Sequence, residues 1–396
     1  MAQTVRGELD EVVCHFEELE DPRSTVNRRH PLTSVVVIAL MAVLAGAGGP
    51  TAIARWAKLK EELLKEVLDL PHGVPRKDVF RRVLMALQPQ AFQVCFANWL
   101  AALQAQAAAA AAAAAGPGEA TPPQPRVLNV DGKTLRRSHD RQHELGALHL
   151  VSVWASDFGL TLAQVACDDK SNEITAIPEL LKLVDLTGAI ITIDAMGTQK
   201  AIAKQIVDGK GDYVLALKGN QETLHQAVID YIDQHVENDF ADVAVRRHTT
   251  SETGHGREET RTYVQLPAPN DLPGFDLWKG LATIGLVVSR CLRNGQETVE
   301  ARYYISSLSL GVKRFARAVR SHWSIENSCH WSLDFTYRED ESRLRERRLR
   351  ENFAWLNRFT LSLLKQHPDK QSLVMKRRSC GWNDNYLMQL LTGKKS

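Results

Sequence analysis

The sequence has no cysteine pair spaced to hold a metal or a redox couple. Its six cysteines, Cys14, Cys95, Cys167, Cys291, Cys329 and Cys380, are scattered with no CxxC motif. That excludes a zinc finger or ribbon and fits reduced thiols in a cytoplasmic protein. No basic stretch leading into an apolar core opens the chain; residues 8–21 are acidic instead, so no secretory leader is read there. Charge of one sign is also lacking, with 49 Lys and Arg against 47 Asp and Glu, a net of +2. Bulk electrostatics therefore does not announce a nucleic-acid binder. The longest uncharged stretch, Pro31 to Ala54, is interrupted by Gly46, Gly48, Gly49 and Pro50. What remains, Val35–Ala47, is short for a bilayer span and reads as a buried helix.

What is present divides the 396 residues into regions of different pattern. Residues 1–115 read as an all-α N-terminal domain: a buried helix at Leu32–Ala47, a second at Thr51–Leu68 and a third at Arg76–Gln88. The third carries Val79, Val83 and Leu87 on one stripe and Arg76, Lys77, Arg81 and Arg82 elsewhere on its surface. Pro89 opens a helix that runs into Ala107–Ala115. A Gly/Pro-rich linker at 116–125 then marks the clearest boundary in the chain.

Beyond it the pattern becomes α/β. Strands are expected at Val127–Val130, Leu148–Ala155, Leu160–Ala166, Ala189–Ile193 and Asp212–Leu217, with helices at Ile174–Leu186 and Lys200–Val207. The order β-β-β-α-β-α-β matches an RNase H-like core. Val243–Thr250, Glu258–Leu266, Leu281–Leu292 and Thr298–Leu308 read as a β-rich insertion at about 238–308. Helices resume at Gly311. This gives a catalytic domain at 126–370 and a basic C-terminal tail at 371–396.

Asp131 follows an apolar strand and precedes Gly132-Lys133; Asp194 ends a second strand. Carboxylates near the ends of neighbouring strands can converge, although Asp in such places is also an ordinary turn former. Glu326 lies on a helix anchored by Phe315, Val319, Trp323 and Ile325. Three carboxylates brought together would repel one another unless hard divalent cations neutralised them, which points to metal-dependent phosphoryl transfer. Asp334 is the rival third acid. On an uninterrupted helix it returns to the face of Glu326 but lies about 12 Å further along the axis, so it is read as orienting a basic side chain.

At these residues the sequence resembles the H-repeat-associated transposases of bacterial insertion sequences, a branch of the DDE superfamily. The shared text includes Asn129-Val-Asp-Gly-Lys-Thr-Leu-Arg136, Lys170-Ser-Asn-Glu173, Thr192-Ile-Asp-Ala-Met-Gly197, Asp212-Tyr-Val-Leu-Ala-Leu-Lys-Gly219, Gly254-His-Gly-Arg257 and His322-Trp-Ser-Ile-Glu-Asn327. The resemblance runs nearly the length of the chain. It implies that Asp131, Asp194 and Glu326 form a triad binding Mg²⁺ (Mn²⁺ substituting), with two ions. It further implies cleavage of element ends and strand transfer into target DNA, with terminal inverted repeats and target DNA as partners and a homodimer in the synaptic complex. A metal-dependent nuclease without strand transfer, or an inactive DNA-binding relative, are the alternatives. Wider relatives carry an Arg and a Lys around the final acid. Here His322 and Leu333 stand at those places; Lys218, Arg320 and His330 are candidate replacements, and His322 itself is counted among the candidate DNA contacts.

The C-terminal part is locally basic, with sixteen Lys or Arg against eight Asp or Glu from Lys313 to Arg378. Lys313, Arg317 and Arg320 share a helix face beside Arg314, which suits phosphate contacts, as solvated helix surface also would. The N-terminal basic residues are expected to help bind element ends. Trp323, Trp331 and Trp355 read as core residues, with stacking on unpaired bases as the alternative.

Overall fold

A computed structural model describes residues 9–26, 28–114, 124–139, 144–167, 173–254 and 256–393. The uncharged stretch forms α1 (Leu32–Leu44), buried at every position but Thr33, as befits a helix apolar all round. No helix among the described residues is long and apolar enough to cross a membrane. Gly49 and Pro50 end this region, and Pro50 opens α2 (Pro50–Leu59), its ring preset for a first turn. The expected helix Thr51–Leu68 is two, because Lys60 leaves helical geometry before α3 (Glu61–Val67). α4 (Lys77–Ala86) buries Phe80, Val83 and Leu84, and α5 spans Pro89–Ala114. The linker expected at 116–125 lies, up to residue 123, outside the described residues.

Next come β1 (Val127–Leu135), β2 (Leu148–Ala155), β3 (Leu160–Cys167), α6 (Glu173–Leu181), β4 (Ile190–Ile193), α7 (Lys200–Asp208) and β5 (Asp212–Leu217). α8 (Glu222–Glu237) has no counterpart in the sequence reading. It buries only Leu224, Val228 and Ile232, a stripe too thin to stand out among polar residues. β6 (Arg246–Gly254), β7 (Arg257–Pro267), β8 (Thr283–Arg293) and β9 (Gln296–Ser306) complete one sheet of order β3-β2-β1-β4-β5-β9-β8-β7-β6. β1 to β3 are antiparallel, while β4 pairs parallel with both β1 and β5. This is the RNase H-like core. The β-rich segment continues its sheet, since β9 pairs antiparallel with β5 and takes up an edge that would otherwise be open.

After the sheet come α9 (Val312–Ser324), a π-helical turn (Ile325–His330), α10 (Trp331–Phe335), α11 (Arg347–Gln366), α12 (Leu373–Trp382) and α13 (Asp384–Thr392). From Leu349 to Leu364 every residue of α11 is buried, because it packs between β3 and the helices α1, α4 and α5. Phe359 meets Phe96 and Trp99 at ring-centroid distances of 4.1 and 5.1 Å. Some polar groups of α11 find partners in the core: Asn352 donates to the carbonyls of Leu84 and Leu87, and Arg358 to Glu339 at 2.9 Å. The N-terminal helices and the sheet therefore share one apolar core. The segment read as a basic tail carries α12 and α13, and its Arg377 donates to the carbonyls of Val43 and Thr336.

Candidate active site

Asp131 lies inside β1 instead of at its end, paired with Ser152 of β2. The strand continues because antiparallel pairing runs on to Leu135, whereas parallel pairing with β4 stops at Val130 and Ile193. One side of β1 thus loses its neighbour at Asp131, and a gap opens there. Asp194 follows β4 directly. Its Oδ1 accepts the N–H groups of Met196 (3.1 Å) and Gly197 (3.4 Å), which fixes it in a turn. The Oδ1 of Asp131 accepts the Gly132 N–H at 2.8 Å. Glu326 is exposed on the π-helical turn. All three carboxylates line one open cleft of about 670 Å³.

The helix carrying Glu326 was expected to be continuous. Its buried residues Ile325, Cys329 and Leu333 recur every four positions, a spacing that drifts off one face of an α-helix with 3.6 residues per turn. The wider π turn absorbs that drift, and such turns are frequent at functional sites. Asp334 lies beyond it, and both of its oxygens accept from Lys133 Nζ at 2.7 Å.

A polar layer lies directly beneath the carboxylates. Asn129 and Thr192 are register partners two residues before Asp131 and Asp194, on the same faces of their strands. The Thr192 hydroxyl donates to Asn129 Oδ1 (2.8 Å) and meets His322 Nδ1 (2.9 Å). Asn129, fully buried, donates to the carbonyl of Ser321 at 2.9 Å. Two strands and α9 are thereby tied together one turn before Glu326. Both residues belong to the motifs quoted above, and their i, i+2 spacing from the two aspartates is the signal that could have marked them.

On the other side, His149 bridges Thr134 Oγ1 (2.7 Å) and Glu173 Oε1 (2.6 Å). This pair crowds the backbone at Gly132: a β-carbon there would stand 2.3 Å from Glu173 Oε1 and 2.6 Å from His149 Nε2. Burial pushes the Asp131 carboxyl up to about 7 against the Gly132 hydrogen bond, and Asp194, Glu326 and Glu173 add to the rise. Burial, with Arg358 and Lys133 nearby, holds His330 down at about 3. It is therefore neutral at pH 7, and its Nδ1, 3.6 Å from Asp131 Oδ2, makes no ion pair. Lys133, 7% exposed, is neutralised by Asp334 and Asp340. Among the described residues no three His, Cys, Asp or Glu side chains close into a ready-made metal cage. Mg²⁺, which keeps waters and binds through one or two carboxylates plus substrate phosphate, does not require one.

The residues expected to face DNA are differently disposed. Lys313 and Arg314 are exposed on α9. Arg317 is held by Asp157 (2.8 Å) and the Pro125 carbonyl (2.9 Å), and Arg320 by Glu252 (2.9 Å). Lys218 is exposed at the end of β5, where Asn220 and Gln221 donate to the carbonyls of Ala195 and Thr198 in the turn that holds Asp194. Burial pushes His322 down to about 4, so it brings no charge to a phosphate at pH 7. His330 lines the cleft with the carboxylates. Trp355 is buried, as expected, while Trp323 sits under the Arg302 guanidinium at 4.1 Å and Trp331 is exposed.

Comparison with known proteins adds a family. The model described as "Transposase DDE domain" matches residues 122–364, and the one described as "DDE_Tnp_1-associated" matches residues 13–100. The "H repeat-associated putative transposase YhhI" of Escherichia coli (strain K12) is 34% identical over 98% of this chain and 99% of its own length. An "Uncharacterized protein in dhlA 3'region" of Xanthobacter autotrophicus is 41% identical over 74% of this chain and 92% of its own. A solved piggyBac transposase synaptic complex with hairpin DNA aligns at a TM-score of 0.40 and 12% identity, over 98% of this chain and 77% of that one.

Proposed function

Because this chain belongs to the transposase DDE domain family, we propose that it cleaves insertion-sequence ends and joins them to target DNA, with Asp131, Asp194 and Glu326 as its catalytic carboxylates. The observation that carries this reading is the single cleft that the three share. DDE transposase domains generally use divalent metal ions. The donor set fits: three hard carboxylates line one cleft, and burial with the neighbouring anions pushes Asp131 up to about 7. In this reading Asp131, Asp194 and Glu326 would hold two Mg²⁺ ions, with Mn²⁺ able to replace them. When bound, such ions neutralise the carboxylates, polarise the phosphoryl group and activate the attacking oxygen.

The chain's own residues do the rest by positioning. Backbone N–H groups of Gly132, Met196 and Gly197 orient the two aspartates, and the Asn129–Thr192–His322 layer holds their strands against α9. Lys218, Lys313 and Arg314, exposed and cationic, suit phosphate contacts along the DNA. We further propose terminal inverted repeats and target DNA as partners, a homodimer in the synaptic complex, and a cytoplasmic, nucleoid-associated location. The helical N-terminal region is proposed to bind DNA, and 126–370 to carry the catalysis.

The test is a joining assay with a precut element end in Mg²⁺. Joining by the wild-type protein, lost in Asp131→Asn and Asp194→Asn while end binding persists, supports the reading. Cleavage without joining would make the protein a nuclease, and binding without either would make it an inactive relative. Full cleavage by either variant removes that aspartate from the site.

A further inference from the structure

The Lys170–Glu173 motif plays no part in the chemistry proposed above, yet its last residue sits behind the first carboxylate. Glu173 opens α6 and is 4% exposed. Gly132 and Thr134 alternate with Asp131 and Lys133 along β1 and so point to the other face of the sheet. His149 of β2 is the register partner of Thr134. The Glu173 carboxylate and the Thr134 hydroxyl hold the two ring nitrogens of His149, at 2.6 and 2.7 Å. One imidazole thus joins β1, β2 and α6.

The bridge bears on the backbone, not on the Asp131 carboxylate itself. A β-carbon at Gly132 would overlap both Glu173 Oε1 and His149 Nε2, so the pair lies against the Gly132 main chain with no side chain between. The Gly132 N–H in turn donates to Asp131 Oδ1 at 2.8 Å. β1 needs support here, because its parallel pairing with β4 ends at Val130. With one edge free, the direction of that N–H depends on what packs against the glycine. Burying a carboxylate against an imidazole is a poor route to stability, since an apolar pair of similar volume often serves as well. What the hydrogen bonds add is a fixed position, as groups behind a metal-binding side chain do.

We propose that Glu173 and His149 are positioning residues: a hydrogen-bonded brace that fixes the backbone at Gly132 and thereby aims the Asp131 carboxylate into the cleft. The brace rests on the reading of Asp131 as a catalytic carboxylate. Glu173 does not line the cleft; it acts through His149 and Gly132.

The test follows two readouts on the full-length protein. One is hydrogen exchange of the Gly132 amide, relative to the other amides of β1, in EDTA without DNA. The other is single-turnover cleavage of an element end in Mg²⁺. Glu173→Met keeps the length of the side chain and removes the acceptor. It should speed Gly132 exchange about 5-fold, as for one lost hydrogen bond, and slow cleavage about 10- to 100-fold with DNA affinity unchanged. Glu173→Gln keeps an oxygen for His149 Nε2 and should restore both. Thr134→Val removes the other partner and should move both readouts the same way, so the brace is tested even where the methionine variant does not fold. Wild-type cleavage rates in these two variants overturn the brace, as does slow cleavage with Gly132 exchange unchanged. Glutamine as slow as methionine, with wild-type exchange, also overturns it and makes the charge of Glu173 the working part. If the wild-type protein cleaves no element end, the transposase reading fails, while Gly132 exchange still decides whether the brace exists.

Discussion

Asp131 dominates the response of the site to pH. Its carboxyl, held at about 7 by burial and neighbouring anions, would titrate near 3.9 in an unfolded chain, by the ordinary carboxylate value. Between those values the folded state binds a proton that the unfolded state lacks. The stability of the metal-free protein therefore falls as pH rises from about 4 to about 7 and levels off above. Asp131→Asn is accordingly expected to raise the melting temperature of EDTA-treated protein at pH 8 and to flatten its decline with pH. A lower melting temperature for the variant at pH 8 would show that the carboxylate stabilises the fold. Beneath it, Thr192→Val leaves Asn129 Oδ1 and His322 Nδ1 without their shared partner, at about 1–3 kcal/mol. Cleavage should slow while DNA affinity holds, and Thr192→Ser should restore both rate and stability. Serine failing to rescue would mean that the methyl group, not the hydroxyl, matters.

The π-helical turn separates two acids that an uninterrupted helix would have put on one face. Glu326 opens on the cleft, and Asp334 is occupied by Lys133. Glu326→Gln should abolish cleavage in Mg²⁺ and Mn²⁺ with DNA binding retained. Asp334→Asn should keep measurable activity but lose about 1.5–3 kcal/mol of stability by weakening a charged hydrogen bond. The reverse pattern in folded proteins would move the third ligand to Asp334. On α9, the spacing of Lys313, Arg317 and Arg320 could not reveal which of them the fold engages. Lys313→Gln should reduce the salt slope of DNA binding by about one unit at unchanged melting temperature. Arg317→Gln should lower the melting temperature, since it loses Asp157 and the Pro125 carbonyl. Equal melting temperatures for the two variants would make Arg317 as free as Lys313.

Across the whole molecule, α11 is the common wall of the N-terminal helices and the sheet, and truncation to 126–396 would expose Phe353, Trp355 and Phe359 together. That fragment should show no cooperative melting transition; a sharp one would make the two regions independent. The N-terminal surface is better tested by replacing exposed Arg76, Lys77, Arg81 and Arg82 with Gln, which should weaken DNA binding without lowering the melting temperature. The sequence alone determined the strands of the core and their order, because the alternation and apolar runs of Leu148–Ala155 or Asp212–Leu217 are local signals read within one element. It also marked Asp131, Asp194 and Glu326 through the motifs around them. Tertiary structure decided what depends on a distant partner. The continuation of β1 past Asp131 follows from β2, the joining of β9 to β5 from an open edge, and the π turn from three buried residues spaced by four. The pairing of Arg317 and Arg320 and the exposure of Trp331 belong to the same class: a side chain's neighbours across the fold set its burial and its charge partners, and no spacing along the chain encodes them.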